Sequence, residues 1–306
     1  MILKVGTVSI IGLPNAGKST LLNALAGMKL AIVSSKPQTT RTLVQGVLTE
    51  PQLGQIVFAD TPGIHKSDSV FNKRMMRSVR SSLSNLDLVI YVVDARRAID
   101  DEQRQALDVL NNVEVPVILV LNKIDKIGKK VKMIELLNAY QQIRPFTSYI
   151  PISAATGEQV DVLKTEIFKH LPEGDLIFPE DHVTDQPSRF LASEMIREKL
   201  LDATEQEVPH SVAVFVEKWE ETPKITKVTA TIYVEKEGQK RIVIGQGGSM
   251  IKQIGTLARQ EMETFFEQKF YLELFVKVRA DWRENTEFLN ELDWRRMAGG
   301  PAIEEN

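Results

Sequence analysis

Cysteine is absent from this chain of 306 residues. That excludes disulfides, zinc–thiolate sites and thiol nucleophiles, and it fits a reducing compartment. The four histidines, His65, His170, His182 and His210, are too scattered to suggest a metal cluster. No apolar run approaches the roughly 18 residues that span a bilayer. The opening stretch is only mildly apolar and leads straight into a glycine-containing motif, so a cleaved signal peptide is not expected. Charge of one sign is also lacking: 38 Lys and Arg against 41 Asp and Glu give a net −3. Any nucleic-acid role must therefore come from a local patch. There are no repeats and no low-complexity tracts. The remaining composition, 43% hydrophobic and 26% charged, suits about two ordinary domains.

The chain is organised around Gly12-Leu13-Pro14-Asn15-Ala16-Gly17-Lys18-Ser19, which fits G-x-x-x-x-G-K-[ST]. The β-branched run Val5 to Ile11 precedes it and reads as a buried strand; Thr20 to Ala26 follows and reads as a helix. Two glycines let the backbone close into a cup whose N–H groups, with the helix N-terminus, face a polyphosphate. Lys18 is placed to reach the β/γ oxygens and Ser19 to ligate Mg²⁺.

Beyond it, Ala31 to Thr42 is polar and reads as a loop. Strands are expected over Thr42 to Leu48 and Gln55 to Ala59, an antiparallel edge hairpin. Helix and strand then alternate: Ser69 to Ser84 helix, Leu86 to Val93 strand, Asp100 to Asn112 helix, Val115 to Leu121 strand, Val131 to Ile143 helix, Ser148 to Ile152 strand, Glu158 to Leu171 helix. This alternation predicts an α/β domain with a mostly parallel sheet over 1–172. The proline-containing, acidic stretch 173–186 reads as a linker. Residues 187–297 read as a smaller α+β domain in the order α-β-β-α-β, and 298–306 as a frayed tail.

Three further clusters carry chemistry. Asp60-Thr61-Pro62-Gly63 follows an apolar strand end, where a carboxylate can serve Mg²⁺ and the Gly63 N–H can approach a γ-phosphate; Ile64 comes next. Asn122-Lys123-Ile124-Asp125 follows another strand. A carboxylate there pairs with the N1–H and 2-amino group of guanine, donors that adenine lacks on that edge, so it discriminates strongly. The aliphatic stem of Lys123 can cover the base. Ser153-Ala154-Ala155 would let backbone N–H groups approach the guanine oxygen. Of Thr39 and Thr40 in the polar loop, Thr40 is the preferred second hydroxyl for Mg²⁺.

These elements, in this order, resemble the translation-factor-related GTPases over Val5 to about Leu171. The resemblance implies GTP hydrolysis with Mg²⁺, with Asn15, Lys18, Thr40 and Gly63 as the catalytic set. It also places Ile64 where Ras-like GTPases carry a water-orienting glutamine, so hydrolysis should be slow or assisted otherwise. In the subgroup with G-x-P-N-x-G-K-S, the asparagine helps to hold a monovalent cation, which makes K⁺ a second expected cofactor at Asn15.

The second domain carries Ile244-Gly245-Gln246-Gly247-Gly248-Ser249, read as a strand entering a glycine turn from which a helix leaves. With Lys240 and Arg241 before it and Lys252 after it, the segment is similar to a type II KH domain, whose glycine turn lets an RNA backbone lie close. From Lys240 to Arg283 there are eight Lys/Arg against five Asp/Glu, a local net of +3. The turn carries neutral Gln246 where many KH turns are basic.

One GTPase domain followed by one KH domain is the arrangement of the Era family, and Pro37-Gln38-Thr39-Thr40-Arg41, Asp60 to His65 and Ile244 to Lys252 look like its motifs. The related Der GTPases carry two GTPase domains, and this chain has room for one. The resemblance implies binding near the 3′ end of small-subunit ribosomal RNA and a role in maturing the small ribosomal subunit. A cytoplasmic monomer is expected, with weak peripheral association at the inner face of the cell membrane through the basic run Asn72 to Arg80 as a secondary expectation. The competing readings are a GTP-dependent switch with a protein-binding second domain, and a peripheral membrane GTPase using the basic run Asn72 to Arg80.

Overall fold

The computed structural model describes residues 2–36, 39–64, 69–83, 85–128 and 130–297. Pro37, Gln38 and His65 of the motifs above, and the expected tail, lie outside the described residues. Contacts divide the chain into two units. The first comprises 1–31, 40–68 and 72–185; the second comprises 186–306 together with 32–39 and 69–71.

The first unit is an α/β sandwich. Its elements are β1 (Lys4–Ile11), α1 (Lys18–Ala26), β2 (Val44–Glu50), β3 (Gly54–Asp60), α2 (Val70–Ser81), β4 (Leu88–Asp94), α3 (Asp101–Leu107), β5 (Val117–Asn122), α4 (Lys130–Ile143), β6 (Ser148–Pro151) and α5 (Val160–His170). The sheet order is β2-β3-β1-β4-β5-β6, parallel except for the β2–β3 hairpin at the edge. β4 and β5 are buried along their whole length because both faces of the sheet are covered. Leu88, Ile90 and Val92 pack with Leu21 and Leu163 on one face, while Val89, Tyr91 and Val93 pack with Val79, Leu107 and Tyr140 on the other. Central β1 has β3 on one side and β4 on the other, so the chain reverses its winding there. Open α/β sheets bind ligands at that switch point, beyond the carboxyl ends of the strands.

Helix 100–112 is shorter than expected: α3 stops at Leu107 and a 3₁₀ turn covers Asp108–Leu110. The acidic stretch after Leu171 is no slack tether. Val5 N–H donates to Pro172 O and Val47 N–H to Val183 O, and Gln55 Oε1 accepts from the N–H groups of Ile177 and Phe178.

The second unit contains α6 (Ser188–Ala203), β7 (Ala213–Glu221), β8 (Thr226–Val234), α7 (Glu237–Ile244), α8 (Ser249–Phe265), β9 (Phe270–Val278), α9 (Thr286–Glu291) and α10 (Trp294–Met297). β8 pairs antiparallel with β7 and parallel with β9. Ile196, Leu200, Ile254, Ala258 and Met262 cover one face of this sheet. The strand expected before the glycine turn is instead helix α7, which makes the order α-β-β-α-α-β. Ile242, Val243 and Ile244 favour strand intrinsically, but only one helical face is needed: Gln239 and Val243, at i and i+4, are buried, and Ile242 is half exposed. Tertiary burial outweighs a weak β-propensity.

Candidate functional site

The loop after β1 is closed by contacts that only small residues permit. Gly17 has φ 95°, and a Cβ on it would lie 2.2 Å from the side-chain nitrogen of Asn122. That nitrogen donates to Ala16 O at 2.9 Å, while Asn122 Oδ1 accepts from Lys123 N at 2.8 Å and Ala154 N at 3.0 Å. One buried amide thus staples the loops at 12–19, 122–125 and 153–155 together. Lys18 is buried and donates to Leu13 O at 3.0 Å; burial lowers its pKa to about 8, against the attraction of Asp60.

Asp60 ends β3. Its Oδ2 accepts from Ser19 Oγ at 2.8 Å and lies 3.5 Å from Thr40 Oγ1, and the two hydroxyls are 2.7 Å apart. Burial pushes the Asp60 carboxyl up to about 6, only partly offset by Lys18 and the two hydroxyls. Its other oxygen, Oδ1, is buried without a hydrogen-bond partner. Such an orphan acceptor beside two hydroxyls is an all-oxygen donor set, which suits a hard cation such as Mg²⁺. Thr39 is not part of the cluster; its hydroxyl donates to Lys36 O at 2.7 Å. Thr61 Oγ1 donates to Ile10 O at 2.9 Å. A Cβ on Gly63 would meet Pro14 at 2.7 Å, so the turn after Pro62 lies directly against the phosphate loop. Ile64 is buried in the helical layer, its N–H donating to Gly12 O at 3.1 Å.

Asp125 is exposed, and Ser153 Oγ donates to its Oδ1 at 2.7 Å. Lys123, at φ 69°, donates from Nζ to Asn15 O and, at 2.9 Å, to Asp94 Oδ2. The Asn15 amide is exposed and has no partner among the described residues. Asp94 and Arg96 escaped the sequence reading. Burial alone would raise the Asp94 carboxyl, but hydrogen bonds from Arg96 (2.6 and 2.9 Å) and Lys123 hold it at about 2. The available signal was a lone carboxylate closing an otherwise apolar strand.

In the second unit the glycine turn joins two helices. Gly245, Gly247 and Gly248 have φ of 72°, 60° and 80°. A Cβ on Gly245 would meet Met250 N at 2.8 Å, whereas Gly247 and Gly248 face open space. No side chain caps α8; the N–H of Ser249 at its start donates to Gln246 O within the turn. Arg241, Gln246 and Lys252 are exposed, Lys240 and Ile244 half-buried, and the three cations pair with no carboxylate among the described residues. A cleft of about 300 Å³ runs on from the turn between α8 and β9, lined by Ile251, Lys252, Arg259 and Leu274. Arg259 and Leu274 were missed because the cleft joins two elements, while Lys252, Thr256 and Arg259 share one helix face.

Two known protein families match separate parts of the chain. Residues 7–123 match the family model described as 50S ribosome-binding GTPase, and residues 207–283 match the KH domain. The fold and these sites therefore define a P-loop GTPase that carries a KH domain. GTPase Era of Lactobacillus delbrueckii subsp. bulgaricus is 46% identical over 293 residues, covering 95% of this chain and 96% of the relative. GTPase Era of Syntrophus aciditrophicus is 45% identical over 293 residues, covering 95% of each. The chain belongs to the Era family of GTPases. Two solved structures match with TM-score 0.93 and 40% identity, each covering 95% of this chain and 99% of the other. One is a variant of Aquifex aeolicus Era bound to GDP and AlF₄⁻; the other is Era in complex with MgGDPNP and nucleotides 1506–1542 of 16S ribosomal RNA.

Proposed function

We propose that this GTPase hydrolyses GTP in its first unit and binds the 3′ region of small-subunit ribosomal RNA through its second, as a maturation factor of the small ribosomal subunit. The observation that carries this reading is the cluster of Ser19, Thr40 and Asp60, with its unpartnered carboxylate oxygen, in a chain whose other half presents an open glycine turn between two helices. The relative solved with 16S ribosomal RNA supports the RNA class.

In this reading Ser19 and Thr40 would hold Mg²⁺ with Asp60 nearby, and the ion, when bound, neutralises charge on the β- and γ-phosphates. Lys18 would lie along the same oxygens, and the loop N–H groups from Leu13 to Thr20 would hold the phosphates. Water attacks the γ-phosphorus as the bond to the bridging oxygen breaks, giving GDP and inorganic phosphate, and Gly63 would lie beside the γ-phosphate oxygens. Ile64 cannot orient the water. The free amide of Asn15 would help to hold K⁺ beside the phosphates, where positive charge stabilises the transition state. Asp125, oriented by Ser153, would read guanine; Lys123 and Ile124 would flank the base, with Ala154 and Ala155 near its oxygen. Gly245 to Ser249 would receive the RNA backbone, with charge from Lys240, Arg241 and Lys252.

The test pairs two variants of the full chain. Asp125→Asn should favour xanthosine triphosphate over GTP in calorimetry, because the 2-oxo group accepts where guanine donates. Gly247→Asp should leave GTP binding intact and weaken a 3′-terminal small-subunit RNA fragment about a hundredfold, by placing bulk and like charge against phosphate. Turnover should rise when K⁺ replaces Na⁺, and Asn15→Ala should flatten that response. An unchanged GTP preference, or wild-type RNA affinity in a folded Gly247→Asp chain, overturns the corresponding half of the reading.

A further inference from the structure

The basic run on α2 is absorbed by neither site. Lys73, Arg77 and Arg80 stand at i, i+4 and i+7, one row roughly 10 Å long on that helix. All three are exposed, and none has an ion-pair partner among the described residues. They rim a groove of about 1380 Å³ between α2 and α3. Met76, Val109 and Val113 give it apolar walls; Glu102 and Asp108 stand on the α3 side, and Glu102 is already engaged by Arg97 at 2.9 Å. The floor is Leu13 of the phosphate loop and Ile64 beside Gly63.

We propose that this groove is the docking site for an amphipathic helix of a partner protein. The partner's apolar ridge enters the groove and its acidic edge lies along Lys73, Arg77 and Arg80. The shape decides against a lipid surface, which is flat and would meet the rims rather than the apolar floor. Carboxylates on the far rim oppose both anionic lipid and a phosphate backbone. Among the described residues, the lining also offers no aromatic ring for a base to stack on, as single-stranded RNA sites do. A concave apolar trough with one cationic edge is the arrangement that receives a helix with anchors at i, i+3, i+4 and i+7. The inference rests on the GTP-site reading for its consequence: an occupant touching Leu13 and Ile64 presses on the two loops that hold the phosphates, so docking changes GTP turnover.

The probe is a fluorescent, stapled helical peptide with a leucine ridge, glutamates on one flank and glutamines on the other. Its twin carries lysines in place of the glutamates. Anisotropy with the full chain should show the acidic peptide binding about tenfold tighter than its twin, a preference that Arg77→Glu inverts. GTP turnover of the wild type should change at saturating acidic peptide. GTP affinity without peptide, measured on both chains, reports on the nucleotide site alone, so a failed GTP site and a failed groove are told apart. Equal binding of the two peptides, or a preference that Arg77→Glu leaves unchanged, overturns the proposal. So does an Arg77→Glu chain that has lost binding to phosphatidylglycerol vesicles or to the RNA fragment while neither peptide binds the wild type.

Discussion

Asp94 is the side chain that fixes Lys123. It is buried at the end of β4, gripped by Arg96 at two points, and holds the ammonium of Lys123 at 2.9 Å, beside the loop that carries Asn15. Asp94→Asn keeps the shape and removes the charge. If Lys123 covers the base as proposed, it loses its anchor, and GDP and GTP should both bind about tenfold more weakly, with guanine preference intact because the proposed base reader, Asp125, is untouched. Calorimetry with GDP and with xanthosine diphosphate checks both statements. At Asp60 the sign is opposite. Its folded pKa of about 6 lies above the usual 3.8, so the nucleotide-free folded chain holds the proton more readily than the unfolded chain. Stability should therefore fall as pH rises from about 4 to about 6 and level off above, and Asp60→Asn should flatten that segment of a Tm-against-pH curve. The proposed Mg²⁺ site needs the ionised carboxylate, so Mg²⁺-dependent GDP affinity should weaken as pH drops through about 6.

At the scale of elements, the loops proposed to hold the nucleotide could be read in the sequence because each is contiguous and closes an apolar strand. Helix α7 was not. Its β-branched run Ile242-Val243-Ile244 reads as strand, and its helical identity comes from burial of Val243 and from Gln239. Buried Gln239 accepts from the N–H groups of Glu235 and Lys236 at 2.9 and 3.0 Å, which satisfies donors at the helix entrance. Gln239→Ala leaves both without that partner and should cost about 1–2 kcal/mol. Thermal unfolding of the full chain should show the loss, and RNA affinity should drop while GTP affinity holds. A variant as stable as wild type would mean that other groups or water replace the amide. The contact from Lys123 to Asp94 spans 29 positions and two strands, and no linear pattern announces it.

For the molecule as a whole, a net charge of −3 opposes RNA, and the stretch from Lys240 to Arg283 reverses the sign, as does the shorter run Asn72 to Arg80. Salt dependence measures how local that reversal is. Each phosphate neutralised on single-stranded RNA contributes about −0.7 to the slope of log affinity against log salt. Three contacts from Lys240, Arg241 and Lys252 should give a slope of roughly −2 in the full chain. Lys252→Ala should bring it to about −1.4, and Arg77→Glu should leave it unchanged, since the α2 row is assigned to a protein helix. A slope near −4 that Arg77→Glu reduces would place RNA phosphates on α2 as well. The groove between α2 and α3 would then be an extension of the RNA surface, and the nucleotide loops at its floor would sense RNA directly.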